Sequence, residues 1–256
     1  MTQPDFDVIF ASTEAHLRAV QALRYDVFVR ELGGDGALVD HEQCLERDRF
    51  DPYSRHLLLI DRTRTGEEGG KVVGAYRLLD QDGAAQAGGF YSEHEYDLSC
   101  LLKSKRRLLE LGRSCLHREY RGGTAMYHLW SALAEHIMRE GIDILFGVAS
   151  FHGSDPADWA QPLSLLFQRH LAPEALRVTA KPPNAPLDMI EPEQLDRKAA
   201  MIQIPALIKA YLRLGGVVGQ GAYLDYKFNT TDVCLILDVA QMSEKQRKLY
   251  TKGRAR

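Results

Sequence analysis

The stretch LLELGRSCL, residues 108–116, interleaves apolar residues with a glutamate and an arginine and is typical of a β-strand. HREYRGG follows at residues 117–123, and apolar side chains then recur at helical spacing over residues 124–140. The next run, residues 142–148, is largely apolar, as in a strand at the centre of a sheet. This order of strand, glycine-containing loop, helix and strand predicts an α/β fold.

Further elements are predicted on both sides of this segment. An edge strand is expected at residues 6–10, followed by a helix that begins after Thr13 and ends before Gly33. The remaining predicted elements are a hairpin of residues 56–61 and 71–79, helices at 162–170 and 205–215, and paired strands at 217–228 and 233–239. We expect one domain spanning residues 1–256, with a basic tail from about residue 243 to residue 256.

The composition excludes several classes of protein. With 45% apolar and 26% charged residues, the chain is globular rather than disordered. Its apolar stretches fall short of the roughly 18 residues that a membrane span needs, and it opens without a secretory leader, so a cytoplasmic protein is expected. The four cysteines form no CxxC pair and the histidines show no metal-ligand spacing, so no metal is expected. The net charge of −3 and the lack of a recognition motif argue against nucleic acid as a partner.

The loop that contains Gly122 and Gly123 is a candidate anion site. Unpaired amides at a helix start, together with the positive end of the helix dipole, attract phosphate, and glycines let it approach the backbone. Arg118 and Arg121 add positive charge to the loop. Because the loop matches neither GxxxxGK nor GxGxxG, an ordinary helix start is the alternative.

Five segments together resemble one enzyme family. They are RYDVF at 24–28, DRFD at 48–51, VGAYRL at 73–78, ELGRSC at 110–115 and FNTTDV at 228–233. In this order they are similar to the ornithine N-acyltransferases of the GNAT superfamily, which make lyso-ornithine lipid from a 3-hydroxyacyl-acyl carrier protein. The loop after Arg121 resembles a degenerate GNAT cofactor loop, with Thr124 and Met126 at the usual small positions. The resemblance runs from about residue 24 to 237 and implies a GNAT-type mixed, twisted sheet flanked by helices.

A related branch supplies the alternative function. The subset Arg24, Phe28, Asp48, Asp51, Arg77, Glu110 and Arg113 also resembles the acyl-homoserine-lactone autoinducer synthases, which use acyl carrier protein and S-adenosylmethionine. No Trp follows Leu32, and the chain extends beyond the usual length of that family, so the ornithine branch is favoured. A carrier-binding module without catalysis is a further alternative. Within the ornithine branch, the acceptor stays open among ornithine, lysine and glutamine.

Acyl transfer to an amine needs a base, a stabilised oxyanion and a protonated leaving thiol. Glu110, polar on an otherwise apolar strand, is the candidate base, with Arg113 as a second catalytic residue. An ion pair of Glu110 with Arg113 or Arg77 is the structural alternative. The resemblance implies that backbone amides of residues 111–113 hold the oxyanion. The predicted helix at 163–170 has Phe167 and no Tyr, so the proton donor to the thiolate is unassigned.

An amino-acid acceptor with a second amine needs arginines for its carboxylate and acids for its cation. The substrate-binding candidates are Arg24, Phe28, Asp48, Asp51 and Arg77, with Asp225 or Asp232 as further acids. Each charged member could equally belong to a structural salt-bridge network. A nucleophile pair of Cys115 and His152 is a minor alternative, because direct transfer requires no covalent intermediate.

The expected partners are acyl carrier protein, ornithine and an anionic membrane. The candidate surface for the carrier and its phosphopantetheine consists of Lys103, Lys105, Arg106, Arg107, Arg118, Arg121, Gly122 and Gly123. A solvated charge run is the alternative for such a cluster. No permanently bound cofactor is expected, because phosphopantetheine arrives with the acyl donor. The basic tail at about residues 243–256 is expected to contact the inner face of the membrane peripherally.

Overall fold

A computed structural model describes residues 3–65 and 69–242. The chain divides into two compact units, each discontinuous in sequence. Of the described residues, those up to Gly88 and residues 111–141 belong to the first unit, and residues 89–110 and 142–242 belong to the second. The basic tail lies outside the described residues, and the single-domain organisation stays a prediction. Within the described residues, no helix is both long and apolar enough to cross a membrane.

Eleven strands and seven α-helices form the described part of the chain. The strands are β1 Phe6–Phe10, β2 Arg55–Asp61, β3 Lys71–Asp80, β4 Tyr96–Asp97, β5 Leu108–Leu116, β6 Ile144–His152, β7 Thr179–Ala180, β8 Asn184–Ala185, β9 Val217–Val218, β10 Ala222–Asp225 and β11 Thr230–Asp238. The α-helices are α1 Glu14–Arg24, α2 Gln81–Ala87, α3 Ser99–Leu102, α4 Ala125–Glu140, α5 Ala160–His170, α6 Arg197–Gln203 and α7 Ala206–Arg213.

The first unit is a sheet with helices packed against it, in which β1 pairs antiparallel with β2 and β2 pairs antiparallel with β3. The strand order is β1, β2, β3 and then β5, whose residues 111–116 belong to this unit. The predicted edge strand and hairpin are confirmed, with Leu58 pairing Ile9 on one side and Ala75 on the other. Alternate residues of the central strands meet the apolar face of α1, and Val20 and Leu23 pack there with Leu58.

The second unit carries the mixed part of the sheet. Residues Leu108, Leu109 and Glu110 of β5 pair in parallel with the first residues of β6. Strand β6 then pairs antiparallel with β11 along its whole length, and β11 pairs with both β9 and β10. Parallel and antiparallel pairs therefore coexist, and the predicted α/β class with a mixed sheet and flanking helices is confirmed.

The structure corrects two predicted strands and adds a helix. The strand expected at 142–148 is β6, which begins two residues later and continues to His152. The single strand expected at 217–228 is divided into β9 and β10, because Gly221 has a left-handed φ of +78° that breaks the extended backbone. No helix is predicted between residues 80 and 107, but the structure contains α2 there, and the Asp80 side chain caps this helix by accepting a hydrogen bond from the Gly83 N–H.

The helix after Thr13 changes type after Arg24. Its α-helical part stops at Arg24, and Tyr25–Glu31 continues as a π-helix. The wider turn changes which side chains face the sheet after Arg24, and Val27 and Phe28 both reach the core built by α1. The change therefore occurs directly after the arginine that the sequence singles out.

Candidate active site

Arg24 is the centre of a buried ion network in the first unit. Its side chain is fully buried, and its Nε donates to Glu46. Its Nη1 donates to Asp51 Oδ1 at 2.7 Å. The sequence identified Arg24 and Asp51 but missed Glu46, which is 1% exposed. A lone glutamate in a charged loop carries no local signal of burial.

Two further arginines close the network. Arg77 donates to Asp48 and lies 3.4 Å from Asp51 Oδ1. Arg113 Nε lies 3.1 Å from Glu46 Oε1, and its Nη2 lies 3.0 Å from Asp48 Oδ2. Three guanidinium groups thus face three carboxylates, so the formal charges cancel within the network.

The loop that carries the carboxylates is shaped by its own side chains. The Phe50 N–H donates to Asp48 Oδ1 at 2.8 Å, and Ser54 Oγ donates to the Phe50 carbonyl at 2.8 Å. Gln21 Nε2 donates to Asp51 Oδ2 at 3.1 Å, which ties the loop to α1. An Asx-type turn and a helix contact therefore fix the positions of both aspartates.

The charges set the protonation of the network. Burial alone would raise the pKa of Asp48, but Arg77 and Arg113 outweigh burial and hold that pKa below its ordinary value. Burial likewise opposes ionisation of Glu46 and Asp51, and the neighbouring arginines again bring both pKa values below the ordinary range. All three acids are therefore carboxylates at neutral pH.

Most of the residues predicted to bind the acceptor lie together, but their charged groups form ion pairs with one another. Arg24, Asp51 and Arg77 are each at most 4% exposed, and Phe28 packs at the edge of the core. The parts of the network that solvent reaches are the side chains of Asp48 and Arg113, which are 17% and 14% exposed. Arg24 and Asp51 therefore act as support for Arg113 and Asp48 in this arrangement.

Arg113 also has an unusual backbone. Its φ is +50°, a left-handed conformation inside β5. A non-glycine residue in this region costs about 1–3 kcal/mol and survives where the surroundings impose it. The guanidinium of Arg77 lies close to the neighbouring backbone, since a Cβ added to Gly112 would lie 3.7 Å from Arg77 Nη2. The predicted oxyanion site at residues 111–113 thus coincides with a distorted strand segment.

Glu110, the predicted base, is 4% exposed in the second unit. Its two oxygens accept from the main-chain N–H groups of Tyr91 and Ser92, both at 2.7 Å, and from the Ser92 hydroxyl. These donors belong to the first turn of the 3-10 helix Tyr91–His94. The sequence did not reveal these partners, which lie 18 and 19 residues away along the chain.

The loop before α4 is open to a ligand. Gly122 has a left-handed φ of +77°, and nothing lies within 4 Å of the position a Cβ would take there. Thr124 caps α4 without a side-chain hydrogen bond. Arg118 is exposed, whereas Arg121 forms a salt bridge in which Nη2 lies 2.8 Å from Glu31 Oε2. The loop therefore leaves its backbone accessible at the start of α4, and the anion site there stays a prediction.

The basic run in the second unit is not uniform. Lys103, Lys105 and Arg107 are exposed. Arg106 instead donates to both oxygens of Asp238, with Nη1 at 2.7 Å from Oδ2. Arg106 therefore holds the end of β11, and the other three carry the exposed positive charge.

A cysteine nucleophile does not fit the structure. Cys115 packs in the core with α1, and burial raises the pKa of its thiol to about 12. The thiol therefore stays protonated at neutral pH and is inert. The alternative of a Cys115–His152 pair is wrong for this reason.

Comparisons with known proteins agree with this fold. The family described as Acetyltransferase (GNAT) domain matches residues 23–131. The CoA-dependent acyl-homoserine lactone synthase BjaI has a TM-score of 0.53 at 15% identity, and the match covers 97% of this chain and 89% of BjaI. The acyl-homoserine lactone synthase LasI has a TM-score of 0.52 at 16% identity, with 98% and 97% covered. These likenesses concern the fold, and together with the family match they define a protein with the GNAT fold.

Curated relatives give the narrower family. The L-ornithine N(alpha)-acyltransferase of Rhodobacter capsulatus is 55% identical over 247 residues, which are 96% of this chain and 95% of the relative. The protein of the same name from Brucella abortus is 38% identical, with 95% and 88% covered. The chain belongs to the L-ornithine N(alpha)-acyltransferase family, as the sequence resemblance implied.

Proposed function

We propose that this protein transfers a 3-hydroxyacyl group from acyl carrier protein to the α-amine of ornithine, giving lyso-ornithine lipid. The observation that carries the proposal is the 55% identity over 96% of the chain to a relative named for ornithine acylation. The amphiphilic product fits a cytoplasmic enzyme that works at the inner membrane surface.

In the proposed reaction, Glu110 accepts a proton from the ornithine ammonium, directly or through water, so that a neutral amine attacks the thioester carbon. Its orientation is supported by the three donors at Tyr91 and Ser92. The tetrahedral oxyanion is held by backbone amides of residues 111–113, where Arg113 departs from strand geometry. The C–S bond then breaks while the new C–N bond is kept. The nitrogen loses its surplus proton, which neutralises the thiolate, so phosphopantetheine leaves on the carrier as a thiol.

The acyl donor binds through its phosphate at the glycine loop. Gly122 and Gly123 leave room for the phosphodiester beside the first turn of α4, and Arg118 supplies an exposed positive charge. Lys103, Lys105 and Arg107 attract the acidic carrier. The acceptor carboxylate is bound by Arg113, whose side chain solvent reaches and which the network of Arg24, Asp51 and Arg77 supports.

The test uses the purified full chain with a 3-hydroxyacyl carrier protein and one acceptor at a time, with products identified by mass. Acyl-ornithine from the ornithine arm supports the proposal. Acyl-homoserine lactone from the S-adenosylmethionine arm would assign the autoinducer reaction instead. Carrier binding without any product in either arm would assign a binding module.

A further inference from the structure

A second cluster of acids lies apart from the arginine network, in the second unit. One oxygen from each of Glu95, Asp225 and Asp232 lies within 4.8 Å of the other two. Glu95 and Asp232 are 3% and 4% exposed, and Asp225 is half-buried. Carboxylates this close repel one another, and a shared cation relieves that repulsion.

The strand register adds a buried hydroxyl to this acidic cluster. Thr230 lies opposite Asp225 across β10 and β11, and it precedes Asp232 by two residues on β11. Paired and alternate residues share one face of a sheet, so Thr230 faces the same side as both aspartates. Thr230 is 6% exposed, and its Oγ1 has no hydrogen-bond partner among the described residues. A buried hydroxyl without a hydrogen-bond partner is rare, and it points to a ligand that supplies the missing hydrogen bond.

Two tyrosines border the cluster. Tyr223 lies opposite Asp232 in the register of β10 and β11. The Tyr96 hydroxyl donates to the Asp232 carbonyl at 2.8 Å and to the Gly221 carbonyl at 3.0 Å, which fixes the strand that carries the acid. Burial raises the pKa of Tyr223, and the three carboxylates raise it further, as a negative potential does.

We infer that Glu95, Asp225 and Asp232, with Thr230 Oγ1, bind the side-chain ammonium of a diamino-acid acceptor. The inference rests on the proposed function. A primary ammonium is a compact cation with several N–H donors, which suits several converging oxygens. The aspartates of the arginine network suit a further cation less well, because each already faces a guanidinium: Arg77 and Arg113 at Asp48, and Arg24 at Asp51.

The acidic cluster shares a sheet face with the proposed base. Glu110 pairs with Phe146 and Asp232 pairs with Ser150, and both partners lie on one face of β6. Four residues along β6 and two strand spacings separate their Cα atoms by about 16 Å. An extended ornithine with a hydrogen bond at each end spans about 12 Å, and the two acidic side chains cover the remainder. The α-amine can therefore lie at Glu110 while the side-chain ammonium lies at the acidic cluster.

The test compares ornithine with norvaline, which has the same carbon skeleton and lacks the second amine. Binding to the full chain is measured by calorimetry, and acylation is measured in parallel with acyl carrier protein. Asp232→Asn and Glu95→Gln each keep the side-chain shape, and Asp188→Asn is the matched control on an exposed acid of the same unit. We expect both cluster variants to weaken ornithine binding by about 10- to 100-fold, the worth of one charged hydrogen bond. Norvaline binding should be the same in the wild type, both cluster variants and the control.

The two readouts separate this inference from the proposed function. Ornithine binding that depends on Asp232, without acyl-ornithine formation, supports the ammonium site and contradicts the proposed reaction. Acyl-ornithine formation with equal ornithine affinity in Asp232→Asn and Asp188→Asn overturns the ammonium site and leaves the reaction standing. Calcium or magnesium binding that Asp232→Asn abolishes, with ornithine affinity unchanged, also overturns it. If Asp232→Asn melts well below the wild type, Glu95→Gln decides by the same criteria.

Discussion

At the scale of single residues, Arg24 shows how a charge becomes part of a core. Its full burial is tolerated because the carboxylates of Glu46 and Asp51 accept hydrogen bonds from its guanidinium and balance its charge. Burial lowers the pKa of this guanidinium, but the two carboxylates outweigh burial and raise the pKa above its ordinary value. The residue is therefore a permanent cation on which the position of the whole network depends.

Replacing Arg24 should destabilise the fold strongly. Arg24→Met leaves two buried carboxylates without their principal partner, and we expect unfolding to become easier by about 3–5 kcal/mol. Arg18→Met is the control, because Arg18 is an exposed residue of the same helix and should change stability by less than about 0.5 kcal/mol. Urea unfolding of both variants measures the difference. Equal stabilities would show that the buried network contributes nothing to the fold.

Glu110 carries the second prediction at this scale. Glu110→Gln keeps the shape of the side chain and removes its basicity, so kcat should fall by about 10²–10⁴-fold. Glu93→Gln is the matched control, since Glu93 Oε1 accepts from the Phe90 N–H at 2.7 Å and supports the same 3-10 helix without serving as base. Turnover at saturating substrate gives kcat for both variants. Wild-type turnover in Glu110→Gln, or the same loss in Glu93→Gln, would reduce Glu110 to a helix-capping role.

At the scale of elements, features set by local sequence patterns could be predicted, whereas features set by long-range contacts could not. The bounds of β5 and the glycine loop before α4 were predictable, because alternation, helical periodicity and glycine are local signals. The π-helix at Tyr25–Glu31 was not, since its apolar spacing resembles that of an α-helix. The partners of Glu110 and the burial of Glu46 were not predictable either, because they depend on contacts far apart in sequence.

The loop before α4 yields a prediction for donor binding. Gly122→Ala forces a left-handed alanine, which costs about 1–2 kcal/mol, and moves backbone amides that would bind phosphate. We expect KM for the acyl donor to rise by about 10-fold, the worth of one hydrogen bond to a charged group. Gly88→Ala is the control, because Gly88 has a φ of +80° and equally open surroundings at the end of α2. Similar donor KM values in the two variants would mean that the loop only starts a helix.

At the scale of the whole molecule, charge placement matters more than net charge. The formal charge is −3, yet Lys103, Lys105 and Arg107 concentrate exposed positive charge in one segment. Clustered charge raises the encounter rate with a partner of opposite sign, and salt screens it over a Debye length of about 10 Å at 0.1 M. This segment is the reason to expect a preference for a protein-bound donor.

Acyl carrier protein should therefore exceed acyl-CoA as donor in kcat/KM at low salt. Reversing the charge at Lys105 and Arg107 should lower the carrier rate by about 10-fold and flatten its salt dependence, while the CoA rate stays constant. Arg106 is left intact because it pairs with Asp238. Reversal of Arg197 and Lys198, two exposed residues of the same unit, is the control with an equal charge change. An equal effect of both reversals would contradict a specific carrier surface.

The most direct test of the function is the position of the new amide bond. The purified protein is given a 3-hydroxyacyl carrier protein and ornithine labelled with heavy nitrogen at its α-amine alone, and the product is fragmented by mass spectrometry. We expect the heavy nitrogen in the amide, next to the acyl chain, with the side-chain amine free. An amide on the unlabelled side-chain nitrogen, or no acyl-ornithine at all, would contradict N-alpha acylation by this protein.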